Sequence, residues 1–135
     1  MDEFRAIVQH RHEGVMMKIA HVGLLVSDLD VAVEFYVSVL KLKQDKRPNL
    51  GFQGVFLSLD DGQQLHLMQL DNPYAACELP THGGRDRHVA LAVACVSDIQ
   101  ARLDAAGITY SKSKSGRDAI FLRDPDGNSI ELVAE

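Results

Sequence analysis

Residues 121–132 read FLRDPDGNSIEL, and this stretch decides the fold because its pattern occurs a second time in the chain. Residues 56–67 read FLSLDDGQQLHL and align with it without gaps at an offset of 65 residues. Both copies place an Asp-Gly pair between two apolar runs. An Asp-Gly pair flanked by strand-forming residues is the strongest short-range signal for a β-hairpin. The sequence therefore predicts two equivalent hairpins.

A second correspondence lies upstream of each hairpin. Residues 21–26 (HVGLLV) and 88–93 (HVALAV) align at an offset of 67, and each predicts a short strand. The pairs Ser27-Asp28 and Ser97-Asp98 follow, and such residues cap helices by accepting hydrogen bonds from the first-turn N–H groups. Apolar residues then recur at helical spacing over 29–40 and 99–106, and Gly107 predicts the second helix end.

Each half of the chain is therefore predicted to fold as β-α-β-β-β. The remaining strands are predicted over residues 42–45, 54–59, 64–70, 109–112, 119–123 and 129–133. Proline and glycine residues in the segment between the two halves indicate a loop. We expect one α+β domain over 18–135, with module one at 18–71, a linker at 72–86 and module two at 87–135.

Residues 1–17 show no helical or strand periodicity and are interpreted as a flexible leader. A module of about 60 residues cannot cover its own sheet. The two modules must therefore share a core or pair with a second chain, which favours a homodimer.

Composition excludes several classes of protein. The chain has 135 residues, 46% of them hydrophobic, which excludes a disordered chain. The net charge is −5 without a basic stripe, so no nucleic-acid partner is expected. No apolar run is long enough to span a membrane. Cys77 and Cys95 suit neither a zinc ribbon nor a disulfide framework, so a reducing cytoplasmic location is expected.

The repeat also places four metal-ligating side chains in matched positions. His21 and His88 occupy the same position in the first strand of each module, and His66 and Glu131 the same position in the last. Residues two apart share a strand face, and small residues flank His21 and His88 on that face. If a pseudo-twofold axis relates the modules, all four side chains meet at one point.

Alone, a strand histidine is more often a hydrogen-bonded core residue, and a strand glutamate more often lies on a solvated edge. Four in matched positions instead indicate a metal site, since a buried Glu131 is costly without a positive partner and a divalent cation supplies one. These ligands suit one Zn²⁺, Ni²⁺, Co²⁺, Mn²⁺ or Fe²⁺ per site. Gln64 and Phe121 lie on strands near the proposed site and are predicted to line a substrate pocket.

These motifs resemble the vicinal oxygen chelate (VOC) superfamily, which has the glyoxalase, bleomycin-resistance and extradiol-dioxygenase fold. The resemblance covers residues 18–135 and rests on three segments, residues 20–36, 87–91 and 123–131. It implies a glyoxalase-like fold in which two modules form a curved mixed-sheet cup. It also implies a homodimer whose sites lie between modules of the two chains.

The resemblance implies His21, His66, His88 and Glu131 as metal ligands, although bacterial glyoxalase I has a Glu at the position of His66. It further implies that Ser115 and Arg117, in the loop before the last hairpin, flank an anionic group of the substrate.

The function implied is that of a metal-dependent lyase or isomerase of the glyoxalase type, acting on a small molecule chelated through vicinal oxygens. It would stabilise an enediolate or oxyanion, or carry out thiol-conjugate chemistry, and Glu131 would move the proton. One alternative is an Fe²⁺ extradiol dioxygenase with His21, His88 and Glu131 as its triad. A second alternative is a resistance protein that binds a small molecule without catalysis.

Overall fold

The first four strands form one sheet in the computed structural model, which describes residues 16–135. Strand β1 (His21–Val26) leads into helix α1 (Leu29–Val33), which continues as a π-helical turn (Glu34–Val39). The strands β2 (Lys43–Asp45), β3 (Gly54–Ser58) and β4 (Gln64–Gln69) follow. Their order is β1-β4-β3-β2, with β1 parallel to β4 and the other pairs antiparallel.

The second sheet repeats this arrangement. It contains β5 (His88–Val93), helix α2 (Val96–Ala105), β6 (Ser111–Lys112), β7 (Ala119–Arg123) and β8 (Ser129–Ala134). The order β5-β8-β7-β6 is equivalent to that of the first sheet, again with one parallel pair. The predicted α+β class and the β-α-β-β-β repeat are therefore confirmed. Of the predicted leader, residues 1–15 lie outside the described residues, and Met16 and Met17 are exposed.

The two modules share one hydrophobic core. The apolar faces of the strands point into it, so that Leu65, Leu67, Ile130 and Leu132 are each at most 2% exposed. The helices contribute buried residues to the same cluster, among them Tyr36. Because side chains alternate along a strand, the opposite face carries the histidines and Glu131.

The turn between β7 and β8 joins the modules. The buried Tyr36 hydroxyl donates a hydrogen bond of 2.7 Å to Asp124 Oδ2. The Asn128 amide donates to the Leu25 carbonyl oxygen at 3.0 Å, and the Ser27 backbone N–H donates to Asp126 Oδ1 at 2.9 Å. The repeated turn motif therefore holds the end of β1 and the first helix in place.

Three local predictions are corrected. The first helix is regular only as far as Val33 and then widens into the π-helical turn. The second helix begins at Val96, and extended Cys95 is its N-cap residue, so the predicted Ser97-Asp98 start is wrong. Val96 is buried, and packing that side chain sets the start earlier than the capping pattern suggests. The strand predicted over 109–112 includes only Ser111–Lys112. Asp28 caps the first helix as predicted, accepting from the Val31 N–H.

Across residues 16–135, none of the helices has the length and apolar character needed to cross a bilayer.

Candidate functional site

The first sheet carries a stack of three aromatic rings. The β1–β4 register pairs His21 with Gln64, which places His66 one step further along the same face. The imidazoles of His21 and His66 are stacked at 3.9 Å between centroids with an interplanar angle of 11°. Phe56 on β3 stacks on the other face of His66 at 3.6 Å. His66 is thus held between an aromatic ring and the neighbouring imidazole.

A hydrogen-bond chain determines the protonation of the His66 ring. Asp45 accepts from the Gln64 amide nitrogen at 2.8 Å, which leaves the Gln64 amide oxygen facing His66 Nε2 at 2.8 Å. His66 Nε2 must therefore carry the proton, and its lone pair lies on Nδ1. Burial, followed by nearby His21 and Arg47, lowers the pKa of His66, which favours the neutral ring.

The second sheet carries His88 and Glu131 side by side. Their strands are paired in parallel, and His88 Nε2 lies 3.3 Å from Glu131 Oε1. The Glu131 residue is 3% exposed at the centre of β8. His88 Nδ1 lies 2.8 Å from the carbonyl oxygen of Asp86, which can only accept, so Nδ1 is the donor. A neutral His88 would then present a lone pair to a carboxylate oxygen.

Two acceptors facing each other at this distance need a cation between them, either a proton or a metal ion. Ligands bonded at about 2.0–2.2 Å to one metal, at angles near 90–110°, are roughly 2.8–3.6 Å apart. The separation of 3.3 Å between His88 Nε2 and Glu131 Oε1 fits two neighbouring ligands of one ion. Imidazole with carboxylate also suits a divalent transition metal chemically.

The other imidazole pair fits a shared metal less well. The in-plane lone pairs of two stacked rings lie in nearly parallel, separated planes, so they do not converge on one ion. The proton on His66 Nε2 leaves only Nδ1 for ligation. His21 is exposed, and its ring can turn without disturbing the core.

The four predicted ligands form two separate contacting pairs. Within residues 16–135, no three metal-ligating side chains come together in one chain. His21 contacts His66 on the first sheet, and His88 contacts Glu131 on the second. Each module thus presents half of the predicted ligand set.

The other predicted site residues surround these pairs. Gln64 hydrogen-bonds His66. Phe121 is 7% exposed and makes an edge contact with the His88 ring at 5.3 Å. Ser115 accepts from the backbone N–H of Arg117 at 3.4 Å. Arg117 Nη2 donates to Glu131 Oε2 at 2.8 Å.

The Arg117 contact corrects one step of the sequence argument. Glu131 was predicted to need a metal because no positive partner was evident, whereas the same chain supplies a guanidinium. Nothing in the periodicity of a polar loop indicates which strand residue its side chains will reach.

Two further residues of the site were not found from the sequence. Asp45 orients Gln64 only because β2 and β3 bring it beside β4. His82 lies 5.0 Å from the Phe121 ring, and its Nε2 donates to the Lys112 carbonyl oxygen at 3.3 Å. A Cβ atom at neighbouring Gly83 would collide with the Ser129 hydroxyl, so glycine allows this linker segment to lie on the site face of β8.

Known proteins share the sequence pattern and the fold of this chain. The family model of the Glyoxalase/Bleomycin resistance protein/Dioxygenase superfamily matches residues 18–132. The chain is 29% identical over 125 residues to a lactoylglutathione lyase of Haemophilus influenzae, covering 87% of this chain and 92% of that protein. It is 28% identical over 118 residues to Glyoxylase I 4 of Arabidopsis thaliana, covering 83% and 67%.

The fold is also found among solved structures. A glyoxalase/dioxygenase from Nostoc punctiforme matches with a TM-score of 0.72 at 21% identity, covering 90% of this chain and 93% of that one. The match extends over both modules, and the resemblance inferred from the repeated motifs is confirmed. The chain belongs to the Glyoxalase/Bleomycin resistance protein/Dioxygenase superfamily.

Proposed function

We propose that the protein is a metal-dependent lyase or isomerase of the glyoxalase type that acts on a small molecule through two vicinal oxygens. The single observation that carries this proposal is the 3.3 Å approach of His88 Nε2 to Glu131 Oε1, two acceptor atoms spaced as neighbouring ligands of one cation. The name lactoylglutathione lyase, carried by the relative from H. influenzae, supports the reaction class.

The complete site is proposed to lie between two copies of the chain. Strands β1 and β5 are the outer strands of their sheets, and His21, Gly23, Ala90 and Ala92 are exposed on them. The nearby Ile19 is 59% exposed. A second copy would cover these faces and bring a His21–His66 pair opposite a His88–Glu131 pair.

Within that site, each side chain has a defined role. A divalent ion held by His88, Glu131 and His21 would supply Lewis-acid polarisation of the substrate oxygens. Glu131 accepts and returns a proton through its carboxylate. Asp86 orients the His88 ring through its carbonyl oxygen. Phe121 contacts the His88 ring edge-on and helps to fix its position.

One observation favours a second candidate function. Gln64 accepts a hydrogen bond from His66 Nε2, and the His66 ring is stacked between His21 and Phe56. A ligand set without His66 consists of two histidines and one carboxylate, His21, His88 and Glu131. That set is typical of non-haem Fe²⁺ oxygenases. An extradiol-type dioxygenase is therefore the alternative proposal.

Elemental analysis combined with two activity assays separates these functions. We expect the purified protein to contain one divalent metal per site and to isomerise a thiol adduct of a 2-oxoaldehyde. Tightly bound iron together with oxygen uptake on catechols would favour the dioxygenase. Protein that takes up no metal and turns over neither substrate would contradict both proposals and leave small-molecule binding as the function.

A further inference from the structure

Both oxygens of the Glu131 carboxylate have partners in the same chain. Oε1 lies 3.3 Å from His88 Nε2, and Oε2 accepts from Arg117 Nη2 at 2.8 Å. The two residues of the Glu131–Arg117 ion pair differ in burial, because the Glu131 side chain is 4% exposed and the Arg117 side chain is 59% exposed. The carboxylate is therefore fixed in the sheet, while its guanidinium partner reaches in from the surface.

The loop holds Arg117 only loosely. Its side-chain Nε lies 3.4 Å from Ser115 Oγ, and that hydroxyl lies 2.7 Å from the hydroxyl of Ser113. These are contacts within one exposed loop, whereas the bond to Glu131 joins the loop to the sheet. The guanidinium is therefore held beside Glu131 mainly by the carboxylate itself.

We propose that Arg117 is a resident counter-ion of Glu131, which keeps the metal-free chain stable and weakens its affinity for a divalent cation. The inference rests on the proposed metal site. A buried carboxylate without a positive partner is costly, so the guanidinium stabilises the chain while no metal is bound. When a divalent cation binds at Oε1, a guanidinium on the same carboxylate repels it, and solvent at the exposed guanidinium screens part of this repulsion.

The test is a titration of the metal-free chain with Zn²⁺ alone, in which calorimetry measures the binding. Arg117→Gln keeps an N–H donor for Oε2 but removes the charge, and we expect it to bind Zn²⁺ roughly tenfold more tightly than the wild type. Arg117→Lys keeps the charge and should bind as the wild type does. Lys114→Gln removes one positive charge from the same loop and serves as the matched control, with unchanged affinity.

A second readout does not depend on metal. In the presence of a chelator, Arg117→Gln should melt several degrees below the wild type, because Glu131 stays buried without its counter-ion. Glu131→Gln breaks the same ion pair but should melt close to the wild type, since the exposed guanidinium turns into solvent. Ser115→Ala weakens the hold on Arg117 in a surface loop, so it should bind Zn²⁺ slightly more tightly without unfolding.

The outcomes separate the two proposals. Equal or weaker Zn²⁺ binding by Arg117→Gln, with the wild type binding Zn²⁺, would overturn the counter-ion role and leave the metal site intact. An absence of Zn²⁺ binding in the wild type and all variants would overturn the metal site and the inference together. Binding by Arg117→Gln alone would support both.

Discussion

The two hydrogen-bonded histidines of the site carry their protons on different ring nitrogens. An amide oxygen faces Nε2 of His66, and a backbone carbonyl faces Nδ1 of His88. Each partner can only accept, so the lone pair lies on Nδ1 in His66 and on Nε2 in His88. Only His88 directs its lone pair at a carboxylate.

Replacing Gln64 with leucine tests this assignment. Gln64→Leu removes the acceptor at Nε2, so the ring of His66 should lose its preference for the Nε2-protonated tautomer. The ring ¹⁵N chemical shifts measured by NMR report this change directly. Gln44→Leu, at an exposed position on β2, is the control and should leave the shifts of His66 unchanged.

Loss of single ligands tests the metal site. His21→Ala and His88→Ala should each reduce metal affinity by more than the roughly 10–100-fold that loss of an outer-shell partner costs. The fold should survive, because the opposite faces of both strands carry the core. Metal content is measured by elemental analysis, with Gln44→Ala, at an exposed position on β2, as the control. Unchanged occupancy in both ligand variants would remove the proposed site.

At the scale of elements, the β7–β8 turn depends on one buried carboxylate. Asp124 accepts from the Tyr36 hydroxyl, the Asn128 amide and the backbone N–H groups of Asp126 and Asn128. Burial raises the pKa of Asp124 in spite of these donors. In contrast, the hydrogen bond from Arg123 lowers the pKa of Asp86 in the linker.

These opposite shifts predict opposite effects of pH on stability. When folding raises the pKa of a carboxyl group, the contribution of that group to stability is fully present below its pKa in the unfolded chain, about 3.9. This contribution is lost as pH rises through the pKa of the folded state. The excess free energy of unfolding of the wild type over Asp124→Asn should therefore decrease as pH rises above about 4. The excess free energy of unfolding of the wild type over Asp86→Asn should instead decrease as pH falls below about 4. Urea unfolding at several pH values measures both, and two slopes of the same sign would contradict the assignment.

The elements also show what the sequence predicted and what it left open. The Asp-Gly pairs predicted both hairpins because turn chemistry is local. The start of α2 at Val96 was missed because burial of that side chain outweighed a capping motif. The repeat placed His21 with His88 in equivalent positions but carried no information on the distance between the two sheets.

At the scale of the whole molecule, the strands that carry His21 and His88 lie at the outer edge of each sheet. Exposed small residues on β5 and the exposed Ile19 before β1 form a surface that one chain leaves open. Strand edges of this kind are ready to pair or to be covered. The arrangement favours a dimer whose two copies complete each other's ligand sets.

A dimer is therefore expected by sedimentation at micromolar concentration. Ala92→Lys places a charge on the open face of β5 and should convert the dimer to a folded monomer with weakened metal binding. Ala105→Lys, at the exposed end of α2, adds the same charge elsewhere and should stay dimeric. A wild-type chain that sediments as a monomer would contradict the shared site.

The bonds between the modules have a further consequence. Tyr36 reaches Asp124, Asn128 reaches Leu25, and both modules contribute side chains to one core. These non-covalent contacts, and not the peptide segment between β4 and β5, therefore hold the two modules together. A chain cleaved by protease near Leu79, which is exposed, should remain associated, and two separately expressed fragments should reconstitute the fold by complementation.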